Sequence, residues 1–375
     1  MALGEQQGAE SSEGVMMLHI RSIDKAQDFM ALAPIWARLM RETGQLSPFL
    51  SYDWFWCCWH GVWPQCRPEI LVIEESAGPI AIAPLMHWRE WVCGLPVRYV
   101  GFLEWPNTPW VDILTVGEHG SVLETFLDHL ASRSDWDIAW LQKLPAISPT
   151  LKSLEGILPG RLPWRRAGHL LYPSLEIEGD WDRFVGTKHP SGTEFDRKLQ
   201  AQLNCAGNVS LEEHSTIDLQ SPFLQEALAI MNRSRQTDGD VAIATMPRTL
   251  EFFRELTRRA AKNGWLSLWS LQLDGHVVAL EYQLRSNGKV QALWTGDDPA
   301  YRELLPGNVL HLAILQSLFE GGRVYEYSLS PGMQAPPPWW ATASHETAHL
   351  KIYRPSLYPR LLERLEAAHA LGARK

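Results

Sequence analysis

One order of elements occurs twice in this chain, and it limits the fold more than any other feature. In the first half, helical patterns over 28–41 and 51–61 precede a strand at 69–74. A Ser76-Ala77-Gly78 turn leads to a returning strand at 80–86. A third strand near 97–102, a helix over 121–132 and a fourth strand at 137–141 follow. In the second half, helices over 222–236 and 247–263 precede a strand at 265–273, and Asp274-Gly275 is a strong hairpin signal. Its return strand is 276–285, the next strand is 289–295, a helix covers 307–319, and a strand at 324–329 closes the series. Self-similarity on this scale predicts two related units of α/β (α+β) class, each a mixed, mostly antiparallel twisted sheet flanked by helices. The breakers Pro159, Gly160, Pro163 and Gly168 place the boundary between 159 and 172. The expected units are therefore 15–165 and 166–375, behind a disordered stretch at 1–14 that offers nothing to bury.

Length agrees, since 375 residues exceed one ordinary core. A net charge of −9 gives no global positive field to draw in DNA. No run of eighteen apolar residues occurs, and residues 1–15 lack the basic start and apolar core of a signal peptide. The expectation is a cytoplasmic chain without membrane insertion. Five cysteines with no C-x-x-C spacing fit reduced thiols. Cys57, Cys58, His60 and Cys66 cluster, but Trp54, Phe55, Trp56, Trp59 and Trp63 around them favour buried helix thiols over zinc. The 18 tryptophans read first as core and interface anchors and second as the lining of an apolar cleft.

The stretch 294–310 carries the most chemical information. A strand ends at Thr295, the chain turns through Gly296–Pro299, and Pro306-Gly307 opens a helix. Proline is pre-organised for a first helical turn, and glycine lets a ligand approach the backbone. The unpaired N–H groups and positive dipole end of such a turn suit a pyrophosphate. An ordinary strand-loop-helix connection would look the same.

The motifs in order are Ser47-Pro-Phe-Leu-Ser-Tyr-Asp-Trp54, Ile82-Ala-Pro-Leu85, Lys188 with Arg197-Lys198-Leu199, and Asp274-Gly-His-Val-Val-Ala279. Gly296-Asp-Asp-Pro-Ala-Tyr301, Pro306-Gly-Asn-Val-Leu310 and His349-Leu-Lys351 complete them. This series resembles the GNAT superfamily of acyl-CoA N-acyltransferases, and more closely the CelD/BcsL group related to the FemABX peptidyltransferases. The resemblance implies two GNAT-like units. It implies an N-acyltransferase with acyl-CoA as co-substrate, no metal, and a small-molecule, polysaccharide or lipid-precursor amine as acceptor. An acyl carrier protein or an aminoacyl-tRNA are the alternative donors. Two departures stand out. The Arg-Gly-x-Gly-type donor loop is absent, and Pro336-Pro337-Pro338-Trp339-Trp340 separates the strand near Tyr327 from Leu350-Lys351, where leucine replaces a tyrosine.

Such chemistry needs a polarised thioester, a base for the amine and a proton for the leaving thiolate. Base candidates are Glu326 and His349, ahead of Glu281 and the Asp297-Asp298 pair. Tyr327, Ser330 and Tyr353 are candidate proton donors. Strand alternation gives Glu281 a solvent-facing default. Donor contacts fall on Leu293, Trp294, Thr295, Arg302, Pro306, Gly307, Asn308 and Val309. Lys188, Arg197, Asp112, Trp339 and Lys351 are the substrate-side candidates, with Lys351 also suited to donor phosphates.

Two rival readings remain. His345-Glu-Thr-Ala-His349 spells the H-E-x-x-H signature of zinc hydrolases, which works only on a helix. A non-catalytic binding protein that keeps the same fold is the other.

Overall fold

The computed structural model describes residues 18–61, 66–92, 94–188, 193–237, 248–330 and 340–372. The expected disordered stretch 1–14 and most of the Pro/Trp segment, Trp339 included, lie outside them.

The first half runs β1 (His19–Ile23), α1 (Ala26–Ala31), α2 (Ala33–Thr43), α3 (Tyr52–Gly61), β2 (Arg67–Glu75), β3 (Gly78–Val92) and β4 (Leu95–Phe102). It continues with the short β5 (Leu114–Thr115), α4 (His119–Ser132), β6 (Ile138–Pro145) and α5 (Pro149–Ile157). A single helix was expected over 28–41, but the chain breaks it at Leu32. Pro34, in the first turn of α2, has no N–H to continue the ladder and its ring crowds the preceding turn.

The second half begins with β7 (Trp164–Glu176), α6 (Trp181–Lys188), α7 (Thr193–Ala206), β8 (Val209–His214), α8 (Pro222–Thr237) and α9 (Thr249–Lys262). Then come β9 (Leu266–Leu273), β10 (His276–Ser286), β11 (Lys289–Asp297) and a 3₁₀ turn at Pro299–Leu304. After these follow α10 (Pro306–Gly321), β12 (Glu326–Leu329), β13 (Ala343–Tyr353) and α11 (Leu357–Gly372). The repeated plan is present: in each half a hairpin and a third strand are followed by a helix and a strand. That last strand pairs in parallel with the third, β4 with β6 and β11 with β12.

The strands join in one mixed sheet of order β1-β2-β3-β4-β6-β13-β7-β12-β11-β10-β9-β8, with β5 against β3. The two halves meet at β7 and β13. Residues 165 and 166 lie inside β7, where Pro163 and Gly168 suggested a linker. From Trp164 to Pro173, β7 pairs only with β13, so its other edge is unladdered and tolerates glycine and proline. The C-terminal strand β13 is inserted between β6 and β7, pairing antiparallel with both.

Helix α10 covers one face of the second half, packing Val309, Leu310 and Ile314 against a cluster that includes Leu271, Ala279, Ala292 and Leu329. Helices α8 and α9 cover the other face. Aromatic rings also tie the halves together. Trp105 stacks on Phe252 of α9 at 4.1 Å and 8°, and Trp54 of α3 meets the same ring edge-on at 5.7 Å. A Cβ on Gly61 would lie 2.9 Å from the Phe252 ring, so glycine there permits the close approach of α3 and α9. Trp36, Trp54, Trp105, Trp136 and Trp340 are fully buried, the anchor role expected first for the tryptophans.

Candidate active site

The parallel pair β11–β12 runs only from Lys289↔Glu326 to Ala292↔Leu329, and the Ser330 N–H makes a last bond to the Ala292 carbonyl at 2.9 Å. β11 nevertheless continues to Asp297, paired there with β10 alone. Its register against β10 skips one residue, Leu293, so a β-bulge sits where the two parallel strands part. Beyond it the strand edge at Leu293, Trp294 and Thr295 carries no ladder bond to β12. The Leu293 carbonyl instead accepts a 2.7 Å hydrogen bond from Asn107 Nδ2 of the first half. Asn107 is a residue that the sequence alone does not flag.

The loop past this opening folds as expected into a turn and a helix. Asp298 accepts from the Ala300 N–H at 3.1 Å and pairs with Arg233 at 2.6 Å. Leu305 is held in the left-handed region at φ 47°, and Pro306 starts α10. A Cβ on Gly307 would run into the Asp297 carboxylate, which would have to swing aside. That acid thus lies against the first turn of α10, where a pyrophosphate was expected. Val309 is buried, and Arg302 and Asn308 flank the helix start, with the Asn308 N–H bonded to the Leu305 carbonyl at 3.0 Å.

Beneath α10 lies a buried polar group. Glu281 is 1% exposed, so the solvent-facing default fails: helices cover both faces of β10, and its carboxylate lies under α10. It accepts from the Tyr327 hydroxyl at 2.7 Å and from Gln283 Nε2 at 2.6 Å, and His311 Nδ1 lies 3.4 Å away. Burial first, and then the Glu281 charge, push the Tyr327 hydroxyl well above its ordinary value. Nε2 of His311 has no hydrogen-bond partner among the described residues. His311 was missed in the sequence, where a lone histidine between Leu310 and Leu312 reads as helix packing. The group locks α10 onto β10 and β12, and with it the helix start that faces the opening.

The two leading base candidates part company. Glu326 bonds His345 and Lys289, each at 2.8 Å. Burial works to raise its carboxyl, but the hydrogen bonds and charges of these two partners outweigh it and hold it at about 2. So weak a base is a poor match to amine chemistry near neutrality. His349 stands on β13 opposite Gly168, beside the bulge that β6 makes at Lys143. Burial first, then the Lys143 and His169 charges, hold its imidazole below the usual value. It is therefore neutral at pH 7, and its Nε2 is buried without a partner among the described residues. Lys143 Nζ donates to the Pro106 carbonyl at 2.7 Å, one residue from Asn107. A single loop of the first half thus joins the surroundings of His349 to the opening at Leu293.

The remaining candidates are dispersed. Asp112 is buried and bound by the Ser148 hydroxyl at 2.5 Å, which makes it a brace for the start of α5. Lys351 pairs with Glu366 at 2.6 Å and lies over Trp140, on the first half's side of the seam. Tyr353 donates to the same Glu366 carboxylate. Lys188 and Arg197 are exposed on α6 and α7, with neighbouring Lys198 paired to Glu194. The H-E-x-x-H string is extended in β13, not helical. Four residues of strand separate His345 from His349 by roughly 13 Å, too far to share one ion. Cys57 and Cys58 are buried helix thiols, and no cluster of potential metal ligands occurs among the described residues.

Comparison with known proteins agrees with this architecture. Residues 195–335 match the family model of the acetyltransferase (GNAT) domain. No curated protein sequence matches the chain significantly. Among solved structures, a conserved protein of unknown function from Bacteroides thetaiotaomicron superposes with a TM-score of 0.52 at 12% identity, covering 90% of this chain and 100% of its own. A tandem GNAT protein from the clavulanic acid biosynthesis pathway gives 0.51 at 12% identity over 91% and 100%. The L-PGS structure from Bacillus licheniformis gives 0.51 at 10% identity over 94% and 98%. The repeated plan, the parted parallel strands and the matched segment together show a GNAT acetyltransferase domain over residues 195–335, within a chain that has the fold of a tandem GNAT protein.

Proposed function

We propose that the chain is an N-acyltransferase that moves an acyl group from a thioester donor, acyl-CoA, to the amine of a small-molecule, polysaccharide or lipid-precursor acceptor. The observation that carries this reading is the opening between β11 and β12 after Ala292, with a strand edge left unladdered at Leu293–Thr295. An amide-bearing pantetheine arm can lie along such an edge as an added strand does. In the reaction the acceptor nitrogen attacks the thioester carbonyl, forming the C–N bond and breaking the C–S bond. Nε2 of His349 takes the nitrogen's proton and returns it to the departing sulfur. Asn107 and the Lys143 loop hold the first half's contribution in place at the opening. Glu281, Tyr327 and His311 act as positioning residues for α10.

One observation favours a second donor. The Asp297 carboxylate against the first turn of α10 opposes a pyrophosphate at that place. A thioester borne by a carrier protein, whose phosphate lies outside the site, suits it better. Calorimetric titration with a panel of acyl-CoAs and the matching acyl-pantetheines tests both. Saturable binding is expected, weakened at least tenfold by Gly307→Glu. Comparable affinity for the two series assigns the carrier-borne donor, and a clear preference for CoA assigns the free one. No binding from either series, nor from an acyl carrier protein, sinks the acyltransferase reading.

A further inference from the structure

A hollow in the first half lies apart from the opening at Leu293, and what it binds is independent of the acyl-transfer reading. Five strand spacings separate β4 from β11 in the sheet, roughly 24 Å. The hollow, of about 300 Å³, is lined by Arg67, His87, Trp88, Arg89, Arg98 and Tyr99. Trp88 and Tyr99 alternate with Arg89 and Arg98 along the strands and turn their stacked rings, 5.1 Å apart at 12°, to the opposite face of the sheet. Arg89 and Arg98 are direct cross-strand partners, and Arg67 sits opposite His87. Like charges facing each other across two strands destabilise the pair unless an anion lies between them or nearby.

The chain's own acids answer only part of this charge. Asp137 binds Arg98 through two bonds of 2.8 and 2.9 Å. Asp135, also on the wall, is committed to Arg133 at 2.7 Å and reaches Arg67 at only 3.5 Å, while Asp24 is 3.9 Å from Arg67. His87 is taken by Glu69 at 2.5 Å. Arg89 is exposed and takes part in no ion pair among the described residues. One guanidinium is left over and another loosely held, in a chain whose net charge is −9.

We propose that this hollow binds a phosphate group, carried either by a soluble phosphate ester or by a lipid headgroup. A tetrahedral dianion has enough oxygens to bridge Arg89 and Arg67 with paired charge-assisted hydrogen bonds, which a carboxylate held by one arginine does not. The volume is at the small end of ligand sites and suits a phosphate with a short substituent. Trp91 shares the face of Arg89 by strand alternation and is 76% exposed. An exposed indole beside arginines is the pairing that settles at a bilayer surface.

The test uses the full chain with glycerol 3-phosphate in a calorimeter and with phosphatidylglycerol vesicles in co-sedimentation, phosphatidylcholine vesicles serving as control. Saturable binding is expected in at least one arm, weakened tenfold or more by Arg89→Ala. Arg89 is exposed and unpaired, so the variant should melt with the parent; Arg67→Ala provides a second reading. Binding in the vesicle arm alone, lost in Trp91→Ala, assigns the lipid headgroup. Binding of glycerol 3-phosphate that Trp91→Ala leaves intact assigns the soluble ester. Absence of binding in both arms overturns the site, as does binding that neither arginine variant weakens.

Discussion

His349 illustrates how far one side chain's surroundings decide its chemistry. Burial first, and then the neighbouring Lys143 and His169, hold its imidazole below the ordinary value, so it stays neutral where an exposed histidine begins to charge. As the base, it predicts an acyl-transfer rate that is flat through pH 7 and falls only below pH 6.5. His349→Ala should lower turnover by about 10² or more, within the usual range for a general base, while donor affinity changes little. A pH–rate profile with an acid limb at or above 6.5, or an alanine variant of unchanged rate, removes it from the mechanism. The same shift carries a stability consequence of definite sign. The unfolded chain takes up this proton near pH 6.5 and the folded chain only below that. The contribution is therefore present above 6.5 and is lost as pH falls toward the folded value. His349 was visible in the sequence as part of a motif, whereas His311 and Asn107 were not. His311 lies 30 positions from Glu281 and Asn107 lies 186 from Leu293, and nothing in the local pattern marks either partner.

At the level of elements, the close packing of α3 on α9 depends on one missing methyl group. Gly61→Ala would push a Cβ into the Phe252 ring and disturb its stack on Trp105. The expected loss is about 1–3 kcal/mol, the usual penalty for overpacking, measured as a lower urea midpoint with an unchanged slope. An alanine variant of parental stability would show that the two helices can slide apart at no cost. The elements that were legible are those with strong local punctuation: the Asp274-Gly275 hairpin, the Pro306-Gly307 helix start and the strand at 289–295. Those that were not are β7 and β13. β7 contains residues that break strands in most settings, and only its unladdered edge makes them acceptable. β13 contains a string that on a helix would be a metal site, and only pairing with β6 and β7 shows it to be extended. Tertiary partners decide both, and no window of sequence contains them.

At the scale of the whole molecule, the two halves are not independent bodies placed side by side. They share one sheet, and the strand that completes the first half's side comes from the end of the second. A chain ended after residue 342 should leave β6 and β7 without their common neighbour. Loss of the cooperative urea transition in both halves is the expected result. A truncated chain in which residues 18–165 still resist protease as well as the parent would show that the first half closes by itself. The arrangement also sets a timetable during synthesis. A ribosome delivers β6 some two hundred residues before β13, and two strand edges stay open through that interval. Nascent chains of this protein should therefore be clients of holding chaperones until the last strand emerges, and a pause in translation ahead of residue 343 should raise aggregation more than one placed after residue 353.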